Sequence, residues 1–75
     1  MRNEQDILND FEKLGYKIKV NNASMLYLTT DCNVTIHINK IMKAFRKFFY
    51  NEETNYIFIK EYKLLNELFQ IWGWI

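Results

Sequence analysis

The chain alternates between stretches of helical period and stretches of period two. Ile7, Leu8, Phe11 and Leu14 recur at helical spacing and predict a helix over residues 4–14. Asn3 stands where a cap belongs, since its side-chain oxygen can accept a bond from a free amide of the first turn. Glu4 and Asp6 lie at the positive end of the helix dipole. Gly15 supplies the left-handed residue with which many helices stop. Strict alternation follows in residues 16–20, with Tyr16, Ile18 and Val20 expected inward and Lys17 and Lys19 outward. Residues 21–24 read as a turn. Met25 to Thr30 reads as a second strand with Leu26 and Leu28 on one face, and residues 30–33 as another turn. Val34, Ile36 and Ile38 alternate with Thr35 and His37 in a third strand. Such short connections favour antiparallel neighbours.

Residues 40–50 admit two readings. At 100° per residue, Ile41, Met42, Ala44, Phe45, Phe48 and Phe49 fall within one arc, and Lys40, Lys43, Arg46, Lys47 and Tyr50 fill the rest. This predicts an amphipathic helix with Asn39 as its cap. The alternative is a hairpin turning at Asn39-Lys40 into a strand that ends at Tyr50. There Lys43 and Lys47 would share a face with Phe45 and Phe49, so the helix is preferred. A polar loop over 51–55 and a short strand over Tyr56–Ile59 come next. A final helix over Lys60–Trp72 carries Leu64, Leu65, Leu68, Phe69 and Trp72 inward. Gly73 is placed to end it, with Trp74 packing back near Phe69. The expected fold is a single α+β domain over residues 1–75 with an antiparallel sheet, in the order α-β-β-β-α-β-α. With 40–50 as a strand, the order becomes α-β-β-β-β-β-α.

Composition narrows the function. Seventy-five residues allow one core, and 49% hydrophobic with 17% aromatic residues exclude a disordered chain. A net charge of +1 excludes a strongly basic wrapper of nucleic acid and an acidic DNA mimic alike. One Cys and one His cannot build a protein zinc site, and the two glycines leave no phosphate-cradling loop. No metal and no cofactor are therefore expected. The sequence opens without an apolar leader segment, and no stretch nears the ~18 apolar residues of a membrane span, so the cytoplasm is the expected compartment and no membrane partner is expected.

Catalysis finds little support. Ser24, Cys32 and His37 are each the sole residue of their type. An extended segment would hold Cys32 and His37 roughly 15 Å apart, too far for a dyad. Asp6 and Asp10 share a helix face but make a weak ion site on their own and read as solvated charges. No catalytic residue is expected.

Three surfaces remain. Residues 39–50 hold four basic side chains and no acid. Lys40, Lys43, Arg46 and Lys47 would line the outside of the expected helix and could meet phosphates or an acidic protein face. An uncovered sheet face would show Lys17, Lys19, Met25, Tyr27, Thr35 and His37, joined by Tyr56 and Phe58 from the last strand. Aromatic and basic residues interleaved on a sheet suit stacked bases or a protein contact. Trp74, at the end of Trp72-Gly73-Trp74-Ile75, either folds back or completes a subunit contact.

The segment Glu61-Tyr62-Lys63-Leu64-Leu65-Asn66-Glu67-Leu68-Phe69-Gln70-Ile71-Trp72-Gly73-Trp74 resembles the ending of small phage and mobile-element proteins of AT-rich Gram-positive bacteria. The abundance of Asn, Lys and Ile agrees with such an origin. The resemblance implies a small inhibitor that occupies a surface of a host defence protein, as anti-CRISPR proteins of this size do. The expected function is a non-enzymatic protein-binding module. Tyr27, Tyr56, Phe58 and Trp74 would form its aromatic surface, toward a host partner or a second copy in a homodimer. The alternative is a nucleic-acid binder acting through the basic helix or the open sheet.

Overall fold

The computed structural model describes residues 2–75. Helix α1 spans Glu4–Lys13, and strands β1 (Lys17–Asn21), β2 (Met25–Thr29), β3 (Val34–Asn39), β4 (Ala44–Phe49) and β5 (Glu52–Thr54) follow before helix α2 (Ile59–Ile71). Each strand pairs antiparallel with its neighbour in sequence, giving a five-stranded meander. The α+β class and the antiparallel sheet agree with the sequence pattern, and the order is the alternative α-β-β-β-β-β-α.

Both helices pack on one face of the sheet. Ile7, Leu8 and Phe11 from α1 and Leu64, Leu65 and Leu68 from α2 meet Leu26, Leu28, Ile36 and Ile38 in one buried cluster. The helices end alike. After α1, the N–H of Tyr16 donates to Phe11 O and that of Gly15 to Glu12 O; after α2, Trp74 N–H donates to Phe69 O and Gly73 N–H to Gln70 O. This is the paired bonding of a Schellman cap, with glycine at φ +100° and +76°. The accompanying apolar contact is aromatic both times. Phe11 meets Tyr16 edge-on at 5.6 Å, and Phe69 stacks on Trp74 at 4.7 Å. Trp74 therefore folds back onto its own helix.

The preferred helix over 40–50 does not form. Residues 40–43 make a turn, and β4 pairs along its length with β3, Phe45 opposite Ile38, Lys47 opposite Ile36 and Phe49 opposite Val34. The mixed face that argued against a strand is real but harmless. Lys43 lies in the turn, outside the strand, and Lys47 is neutralised by an acid from α2. Asn39 is a cap, but of the turn: its Oδ1 accepts the N–H groups of Ile41 (3.0 Å) and Met42 (2.9 Å).

Two smaller departures concern the register of one strand and the bounds of another. The register of β1 on β2 slips between Ile18 and Val20, so Ile18 faces Leu28 but Val20 faces Tyr27. One extra residue, Lys19, moves Val20 to the uncovered face. The expected strand over Tyr56–Ile59 is absent. Tyr50 and Asn51, both at positive φ, reverse the chain early, so the polar Glu52–Thr54 becomes β5. Residues 55–58 then cross from the sheet to α2 as an irregular strap.

Candidate interaction surfaces

The four basic residues expected on one helix are scattered. Lys47 is buried at the sheet–helix interface. Its Nζ lies 2.6 Å from Glu61 Oε1 and 4.6 Å from the centre of the Phe58 ring. Lys40 Nζ donates to Asn21 Oδ1 (2.9 Å) and Asn22 O (2.7 Å) and sits 5.1 Å above the Trp72 ring. Arg46 lies on the uncovered sheet face, paired with Glu53 at 3.4 Å. Lys43 sits in the turn at φ 55°, exposed. No common stripe exists.

Glu61 is the centre of the buried polar cluster. One carboxylate oxygen takes Lys47 and the N–H of Phe58 (3.1 Å); the other accepts the Tyr16 hydroxyl. Burial first, and then the hydrogen bond to this carboxylate, raise the Tyr16 phenol above its ordinary pKa. Among the described residues no buried side-chain polar atom lacks a partner. The cluster pins β4, the strap and α2 together.

The uncovered sheet face is aromatic, as expected, but its rings face one another. His37 stacks on Tyr27 across the strands at 4.1 Å and meets Phe48 at 4.9 Å. Partial burial, and secondarily the charge of Lys19, hold the His37 imidazole below its usual pKa. Cys32 is exposed in the β2–β3 turn, whereas His37 lies within β3 in this aromatic row.

The strap borders a wide concavity. A cleft of about 760 Å³ opens between the end of α1, the β2–β3 turn and the strap, lined by Leu14, Val34, Tyr56, Ile57, Phe58 and Ile59. Tyr56 and Phe58 stand edge to face at 5.1 Å. Their exposures are 68% and 55%, and Ile59 and Tyr62 on the first turn of α2 expose 75% and 60%. Of the expected aromatic surface, the structure thus brings Tyr56 and Phe58 together. Tyr27 belongs to the opposite sheet face, and Trp74 is half-buried on Phe69.

Sequence reasoning overlooked Ile59, Tyr62 and the turn residues Ile41 and Met42. It also overlooked Glu61, although a signal was present: Glu61 is in register with Leu64, Leu65 and Leu68 on the inner stripe of α2, as Lys47 is with Phe45 and Phe49. Two opposite charges, each alone in an apolar stripe, are candidates for one another. Among the described residues no helix is long and apolar enough to cross a membrane. Comparison with family models, curated proteins and solved structures finds no match.

Proposed function

We propose that this chain is a non-enzymatic protein-binding module that docks through the aromatic cleft. The observation that carries the reading is the run Tyr56, Phe58, Ile59 and Tyr62, each more than half exposed beside an apolar concavity. Rings held by a folded backbone lose little entropy on binding and make good anchors. A contiguous exposed apolar patch on a small domain is a common mark of a contact site. The ligand is a protein segment offering a large apolar side chain to the cleft. The resemblance of residues 61–74 to phage proteins makes a host protein the natural source of that segment, with inhibition following from the surface it covers.

A nucleic-acid ligand has weaker support. Lys47 is buried, Arg46 is paired, and Tyr27, His37 and Phe48 spend their ring faces on one another. The test is affinity capture from host extract with the wild-type chain and with Tyr56→Ala/Phe58→Ala, followed by titration of the purified captured protein. The expected outcome is binding by wild type, at least tenfold weaker in the double variant, since hot-spot truncations cost about 2 kcal/mol or more. Equal binding by both would remove the cleft from the contact.

A further inference from the structure

A second surface lies at the end of the molecule away from the cleft. The β3–β4 turn reads Lys40-Ile41-Met42-Lys43, and Ile41 and Met42 are 72% and 74% exposed. Turns usually select Gly, Asn, Asp, Ser or Pro, so two aliphatic side chains at a hairpin tip run against local preference and ask for a reason. The tip is stiff. Asn39 accepts the N–H groups of both residues, Lys40 N–H donates to Ser24 O at 2.8 Å, and Lys40 Nζ is tied to the β1–β2 turn. A charge is therefore fixed on one side of the apolar pair, and Lys43 stands on the other. Beside Lys40 lie Trp72 and, 5.1 Å from it, Trp74, followed by Ile75 at 71% exposure.

We infer that this end is a docking surface for an anionic phospholipid bilayer. Ile41 and Met42 enter the headgroup–acyl boundary, Lys43 meets lipid phosphates, and the tethered Lys40 adds its charge to the same surface. Trp72 and Trp74 lie at headgroup depth, where indole rings prefer to sit. The argument for lipid is charge set beside exposed apolar side chains: Ile41 and Met42 stand out from a hairpin tip with Lys40 and Lys43 on either side, which complements an anionic surface over an apolar interior. Lacking a helix that crosses a membrane says nothing about a domain that rests on one.

The chain holds two tryptophans, both at this end, so its own fluorescence reports the event. The experiment mixes the whole chain with vesicles of phosphatidylcholine alone and of equal parts phosphatidylcholine and phosphatidylglycerol, and follows co-sedimentation and emission. Binding to the anionic vesicles with a blue shift, and little to the neutral ones, is the expected result. Ile41→Ser/Met42→Ser should lower partitioning at least tenfold, and Lys43→Gln about fivefold, the usual weight of one basic residue near such a surface. Circular dichroism checks that each variant is folded. Tyr56→Ala should bind vesicles as wild type does, so a failure of the cleft reading leaves this one standing, and the reverse. No binding, equal binding to both vesicles, or a folded tip variant that binds like wild type would each overturn the proposal. So would a protein captured through the tip when vesicles are ignored.

Discussion

Glu61 and Lys47 show how two charges can sit in an apolar interior. Neither is tolerable alone: an unpaired buried ion costs several kcal/mol, and breaking such a pair from one side costs about 3–5 kcal/mol. Glu61→Leu should destabilise the fold by that amount, because it strands Lys47 and deprives the Tyr16 hydroxyl and the Phe58 N–H of their acceptor. Lys47→Met/Glu61→Leu should be less damaging than the sum of the two single changes. Urea denaturation of the four proteins in the cycle checks this, and strict additivity would mean the pair does not interact. His37 makes a residue-scale prediction of opposite character. Its folded pKa is held below the unfolded value, so the unfolded chain takes up the proton first. Its stabilising effect is complete above the unfolded value of about 6.5 and is lost as pH falls from there through the folded pKa. The thermal midpoint should decline over that window, and His37→Gln should flatten the decline. At more acid pH a second loss is expected at Asp10, whose pKa is lowered first by its hydrogen bond from Arg2.

At the scale of elements, the turns decide the register. Asn22, Thr30, Asn39 and Thr54 each accept backbone N–H groups two or more residues ahead, a local bond that lets a short side chain shape the turn it opens. The turns opened by Asn22 and Thr30 were visible in the sequence, whereas Asn39 read as the cap of a helix and Thr54 as part of a polar loop. Which way the chain left the turn at 40–43 was not visible, because helix and strand differ there by a partner on α2. The Tyr50-Asn51 pair, both in the left-handed region, forms a two-residue hairpin loop that favours Asn-Gly. Tyr50→Asn/Asn51→Gly should therefore raise stability by up to about 1 kcal/mol, less the contact of Tyr50 with Phe49. Gly73→Ala should do the opposite. A Cβ there meets nothing within 4 Å, so the cost of about 1 kcal/mol comes from the left-handed backbone alone. Thermal unfolding measures both, and a Gly73→Ala protein as stable as wild type would count against the cap.

For the molecule as a whole, the patterns that were legible are those settled by near neighbours along the chain. These are α1, the first three strands, both glycine caps and the return of Trp74. The patterns that misled depend on distant contacts or on a single inserted residue. Lys47 is made apolar in effect by Glu61, and Lys19 shifts Val20 to the other face. The basic helix vanished for this reason, and the candidate contact surface moved to the strap. A whole-molecule test follows. With its cations dispersed, the chain should bind generic single-stranded RNA or DNA weakly, with a shallow salt slope. A steep slope in a fluorescence anisotropy titration would instead reinstate a nucleic-acid ligand.

The indole N–H of Trp72 donates to the Glu4 carboxylate at 2.6 Å, which sets the start of the first helix beside the finish of the last. A brief flexible linker could therefore splice residue 75 to residue 2, and the backbone could be reopened at the exposed Asp31-Cys32-Asn33 corner. The permuted protein would keep every strand pairing except the hairpin connection it gave up, and would present fresh termini beside the cleft for attaching a dye or a tether.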